Sequence, residues 1–91
     1  MKPSVSKGIV VKSQKGRDKG RLFVVLYEMD ADFVMICDGK THPVDHMKKK
    51  RRKHLMPLGH ELPDIVSLFE RNQLKNSDVN KALTVISSGM S

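Results

Sequence analysis

Apolar residues fall in short blocks along the first two thirds of the chain and in a helical rhythm along the last third. Gly8-Ile9-Val10-Val11-Lys12-Ser13 is β-branched and runs into polar turn residues, which predicts a short strand. Gln14 to Gly20 is a loop with two glycines and four charges. Arg21 to Glu28 holds the run Leu22-Phe23-Val24-Val25-Leu26-Tyr27, apolar without clean alternation, which suits a strand covered on both faces. Met29-Asp30-Ala31-Asp32 reads as a turn, since aspartate side chains bond to nearby backbone. Phe33 to Cys37 is a third strand, and Asp38-Gly39 is a short hairpin signal. Lys40 to Val44 follows as a fourth strand, placed at an edge or bulge by Pro43. His54-Leu55-Met56 is a fifth, and Pro57 and Gly59 close the β region.

The period then changes. Leu62, Ile65, Val66 and Phe69 fall at i, i+3, i+4 and i+7, with Pro63 suited to a first helical turn. Val79, Ala82, Leu83 and Ile86 repeat the spacing. Ser77 or Asn76 caps this second helix, Asp78 favours its positive end and Gly89 ends it. Helices this short are marginal alone, so each apolar stripe needs a cover. Short antiparallel strands with tight turns point to a small barrel, which removes exposed sheet edges. The expected fold is mainly β: a small antiparallel barrel over residues 5–57, then a helical hairpin over 61–89 that packs on the barrel or docks a protein partner.

Charge sharpens this picture. Met1 to Leu55 carries fourteen Lys and Arg against six Asp and Glu, while Met56 to Ser91 carries three against four. The formal net charge of +7 therefore belongs to the barrel half. A one-sided basic field attracts a polyanion, though a merely solvated surface explains charge alone equally well. With 91 residues there is one domain and little room for a large enzyme cleft. Cys37 is the only cysteine, which excludes an intrachain disulfide, and its apolar setting predicts a buried, inert thiol. Met1-Lys2-Pro3-Ser4-Val5 has no apolar stretch of signal-peptide length, and nothing approaches a membrane span, so the cytoplasm is the expected compartment.

The stretch from Gly8 to Val25 resembles a KOW motif, a strand, basic glycine-containing loop and strand within an SH3-like barrel. The likeness rests on Gly8, Val10-Val11, Gly16, Gly20 and Phe23-Val24-Val25. Its continuation through Val34, Asp38-Gly39 and the basic run to Leu55 resembles the small KOW proteins of the large ribosomal subunit, groups fourteen-e, six-e and twenty-seven-e, and similar small bacterial proteins with a helical tail. The resemblance covers residues 5–57 and implies RNA binding, usually to ribosomal RNA or the ribosome. KOW domains of NusG-type transcription factors also touch proteins and nucleic acid, so a transcription-complex component or protein-interaction adaptor is the alternative.

Two segments carry the expected chemistry. In the first, Lys15, Arg17, Lys19 and Arg21 reach phosphates from a protruding loop, and Gly16 and Gly20 permit positive φ and close backbone approach. Its N–H groups are candidates for an anion-binding nest, and Asp18 shapes the turn or orients an arginine. Lys12, beside the loop, and Lys40 and His42, across the hairpin, extend this surface. The second is Lys48-Lys49-Lys50-Arg51-Arg52-Lys53, six consecutive cations that packing does not explain. Like charges this dense repel, which predicts a mobile loop. Together the segments make roughly 6–8 phosphate contacts, for a slope of log K on log salt of roughly −4 to −7.

Other chemistries are poorly supplied. Phe23 and Phe33 lie in apolar runs and are expected in the core, so base stacking is short of exposed rings; Tyr27 is the one exception, with core or barrel-rim packing favoured for it too. Cys37, His42 and His46 lie close in sequence, but a structural zinc site wants four ligands, usually with paired cysteines. His42, His46 and His54 instead extend the basic surface. Ser4, Ser6, Ser13, Asp45 and His46 form no nucleophile motif. No cofactor, metal or enzymatic activity is expected.

Overall fold

A computed structural model describes residues 5–89; the sequence positions read at 1–4 and 90–91, Ser4 among them, lie outside the described residues. Five strands form one antiparallel sheet: β1 (Ile9–Ser13), β2 (Leu22–Glu28), β3 (Phe33–Cys37), β4 (Lys48–Arg51) and β5 (Leu55–Glu61). Their order is β4-β3-β2-β1-β5, so β4 and β5 are the edges and the sheet is not closed. Two helices follow, α1 (Pro63–Glu70) and α2 (Asn76–Ser88).

The central strand β2 has apolar side chains on both faces, as its unbroken hydrophobic run predicts. Phe23 and Val25 join Val11, Val34, Ile36 and Leu55 in an inner core. Val24 and Leu26 face the other way, beside Val10 and Cys37, where Ile65 of α1 and Val79 and Leu83 of α2 cover them. Each such buried aliphatic side chain contributes about 1.5–3 kcal/mol. Helices of 8 and 13 residues draw their stability from this burial. Cys37 is fully buried, and burial pushes its thiol up to about 11.

Several sequence expectations change. The fourth strand is Lys48–Arg51, not Lys40–Val44. Asp38 accounts for this: its Oδ1 accepts the N–H groups of Lys40 at 2.9 Å and His42 at 2.8 Å, which bends the chain locally. Asp38-Gly39 therefore opens a long connection rather than a tight hairpin, and the connection continues through a 3-10 turn at Val44–His46. The cationic run is likewise no mobile loop, because Phe33↔Arg51, Val34↔Lys50, Met35↔Lys49 and Ile36↔Lys48 pair it with β3.

β5 also runs through Pro57 and Gly59 instead of stopping there. An edge strand tolerates a proline, and a register shift opposite Ile9 to Val11 takes up the glycine, whose φ is +80°. Pro63 occupies the first turn of α1 as expected. α2 starts at Asn76 behind Lys75, and the Asp78 carboxylate accepts the Lys75 N–H at 3.1 Å. Asn76 is not the cap because its Oδ1 accepts the Val44 N–H at 2.7 Å, tying the β3–β4 connection to the helix.

Candidate nucleic-acid interface

The loop between β1 and β2 is closed at its base by two backbone bonds. Ser13 N–H donates to Arg21 O at 3.0 Å, and Gly20 N–H to Ser13 O at 2.8 Å. Inside it, Lys19 N–H reaches Gly16 O at 3.2 Å and Arg21 N–H reaches Asp18 O at 2.9 Å. These are two successive tight turns, with Gly16 and Gly20 at φ of +82° and +90°. The N–H groups of Lys19, Gly20 and Arg21 are thus used within the loop rather than offered as an anion nest.

Asp18 anchors this loop to the rest of the fold. It is 5% exposed, its Oδ2 accepts Lys48 Nζ at 2.6 Å, and its Oδ1 lies 3.3 Å from His42 Nε2. Burial by itself raises the Asp18 carboxyl, but the bonds from Lys48 and His42 outweigh it and hold the carboxyl below the usual carboxylate range. Asp18 therefore binds a lysine and a histidine, not an arginine. Arg21 instead donates to Thr41 Oγ1 at 2.6 Å. His42 is held inside this clasp, with its ring 5.8 Å from that of Phe23.

The cationic run divides by the alternation of a strand. Lys48 and Lys50 lie on the inner side, opposite Ile36 and Val34. Lys50 is 8% exposed and its Nζ donates to Lys15 O at 2.8 Å, a second tie between β4 and the loop. Arg52, in a 3-10 turn at Arg52–His54, donates to Val5 O and Asp30 O and pairs with Glu28 at 3.0 Å. The Lys7 backbone N–H and the Arg52 guanidinium hold the Glu28 carboxyl below its usual range. Packing thus explains half of the six cations. Lys49, Arg51 and Lys53 remain exposed.

The predicted residues gather in three places. Lys15, Lys50, Arg51 and Lys53 surround His54: desolvation and then these cations push its imidazole below the ordinary value. His54 is therefore weakly basic and does not extend the positive surface at neutral pH. Lys12, Lys19 and Gly20 border a groove that also holds Met56. Arg21, Lys40 and Thr41 face Asn80, Thr84 and Ser87 of α2 across a cleft of about 370 Å³. Loop and run form one positive region only on the first side, where Lys15 meets β4 and the turn after it.

Two aromatic residues depart from expectation. Phe23 is fully buried, but Tyr27 is 54% exposed and Phe33 is only half-buried. Lys49 Nζ lies 4.5 Å and Arg51 Cζ 5.0 Å from the centre of the Phe33 ring. The register shift between Val25 and Tyr27 turns the end of β2 outward, and no periodicity in Leu22 to Tyr27 signals it.

Among the described residues, no three His, Cys, Asp or Glu side chains are placed to hold a metal ion, and no helix is long and apolar enough to cross a membrane. The chain matches no protein-family model and no curated protein.

Proposed function

We propose that this is a non-enzymatic, cytoplasmic RNA-binding protein of the KOW type that contacts structured RNA, ribosomal RNA foremost, through phosphates. The observation that carries the reading is the double tie of the β1–β2 loop. Asp18 to Lys48 and Lys15 O to Lys50 fix the loop on the sheet while Lys15, Arg17, Lys19 and Arg21 stay exposed. Fixed cations lose less freedom on binding than mobile ones and present a set spacing to the backbone of a folded RNA. The sheet order supports the finer fold, an SH3-like barrel. β1 pairs with both β2 and β5, and a single 3-10 turn joins β4 to β5.

The role of the helices as an adaptor has less support. Their apolar stripes cover the sheet, and among the described helical residues Val85 is the large apolar side chain left exposed.

The test is a titration of the purified protein with a folded ribosomal RNA fragment and with duplex DNA over a salt series. About seven exposed cations, four in the loop and three in and after β4, give a slope of log K on log salt of about −5 to −6. Arg17→Ala with Lys19→Ala weakens RNA binding and leaves the fold intact. Absent or salt-independent binding overturns the reading, and preference for duplex DNA moves it to the transcription-complex alternative.

A further inference from the structure

We propose that the bare end of the outer sheet face stacks an unpaired nucleotide of the RNA on Tyr27 and pairs its flanking phosphates with Lys49 and Arg51. This rests on the RNA-binding reading and adds a second mode of contact to it.

The helices cover only part of that face. Leu26 lies beneath them, fully buried, whereas the next residue, Tyr27, is 54% exposed. Cross-strand partners share a face of a sheet, and Tyr27↔Met35, Met35↔Lys49 and Phe33↔Arg51 are partners. Tyr27, Met35, Phe33, Lys49 and Arg51 therefore form one surface, continued at the strand end by Met29, which is 43% exposed. None of these side chains belongs to either core cluster.

The chemistry of this surface fits one occupant. An exposed ring offers a base its π-face without regard to sequence, and adjacent cations offer its phosphates counter-charges. Lys49 and Arg51 sit over the Phe33 ring, which restricts their freedom and holds them on the same side as Tyr27. Neighbouring carboxylates cancel this charge only in part, since Asp30 acts on Lys49 without pairing with it directly. Glu28 pairs with Arg52 on the opposite face, and Asp30 Oδ1 accepts the N–H groups of Asp32 and Phe33, both at 2.8 Å. A partner protein with an apolar face would leave Lys49 and Arg51 without counter-charges, and a second copy of this surface would bring like charges together. A strand of unpaired RNA satisfies both ring and cations.

Tyr27 is the only tyrosine and the chain has no tryptophan, so its fluorescence reports this position alone. The probes are a ten-nucleotide oligouridylate and a ten-base-pair RNA duplex, titrated at one low salt concentration. Oligouridylate is expected to quench the tyrosine emission to saturation, and the duplex to bind without comparable quenching. Tyr27→Ala is expected to weaken oligouridylate binding about tenfold and leave duplex binding unchanged. Because Tyr27 is exposed, the variant folds, and circular dichroism checks that it does.

If the wild type binds both RNAs while Tyr27→Ala binds them equally well and no quenching occurs, stacking is overturned and the phosphate reading stands. If the wild type binds neither RNA, the RNA reading fails and takes this proposal with it. Sedimentation at tens of micromolar separates the remaining occupant. A dimer that Tyr27→Ala converts to monomer makes the patch a self-association surface and overturns the proposal.

Discussion

Lys48 and Asp18 stand thirty residues apart in sequence and meet at 2.6 Å, with the carboxylate almost wholly buried. A strand of the sheet and a loop between two other strands are thereby joined through side chains. His42, on a third segment, shares the same carboxylate.

This clasp depends on pH in a definite direction. The folded Asp18 carboxyl titrates below its ordinary value, so its contribution is fully present above about pH 4 and is lost as pH falls through the folded value. Asp18→Asn is expected to cost about 1–3 kcal/mol at neutral pH. Urea unfolding of both proteins at a series of pH values checks it. The gap should shrink in acid; one that stays constant down to about pH 2.5 rules the clasp out as its source.

The cationic run should split into two phenotypes. Replacing the exposed Lys49, Arg51 and Lys53 with alanine is expected to leave the melting temperature nearly unchanged. The same replacement flattens the salt slope of RNA binding by about 2–3. Replacing Lys48, Lys50 and Arg52 with glutamine, which removes the bonds to Asp18, Lys15 O and Glu28, is expected to lower thermal stability. Melting curves and salt titrations of the two triple variants measure this. Identical behaviour would mean the strand alternation has no energetic weight.

Gly39 and Gly20 both adopt positive φ, +77° and +90°, but only one is crowded. A Cβ on Gly39 would lie 2.4 Å from Asn76 O, whereas one on Gly20 would meet nothing within 4 Å. Gly20→Ala is expected to cost about 1–2 kcal/mol, the backbone penalty alone. Gly39→Ala should cost clearly more, because the β3–β4 connection must move away from α2. Chemical denaturation of the two variants side by side decides it.

His54 reports occupancy of the positive region. Desolvation and the cations around it depress its folded pKa, so the penalty for protonating the ring begins below about pH 6.5 and is complete below the folded value. Phosphates placed among Lys15, Arg51 and Lys53 offset those cations. An NMR titration of the ring should show a midpoint below the ordinary imidazole value that moves upward when RNA is added. No movement would place the RNA elsewhere.

Much of this was legible from local chemistry. The run Leu22 to Tyr27 lacks alternation because β2 is covered on both faces, and the helical spacings around Ile65 and Val79 mark residues that pack on it. The second half of the sheet was hidden for a physical reason. Six cations in a row suggest repulsion and mobility, and the partners that make alternate ones structural are distant in sequence: Asp18, Lys15 O and Glu28. The same holds for Asp18 itself, whose lysine and histidine partners are invisible from its own loop. Asp38 and Pro43 carry readable local meanings, a side-chain turn and a missing donor, but Asp38-Gly39 signals a tight hairpin equally well, and only the bonds to Lys40 and His42 distinguish the two.

One consequence of the open sheet concerns how copies of the chain avoid one another. β4 ends the sheet with an unpaired row of backbone donors and acceptors, a template for strand addition. Lys49 and Arg51 of this strand are exposed and Lys48 and Lys50 are held inward, so two such edges approaching in solution would bring four exposed positive charges together. The exposed cations that alternate with the loop-locking lysines thus guard the molecule against aggregation through that edge. A polyanion that neutralises them would lift this protection, and crowding on one nucleic acid is the condition in which such edges would first pair.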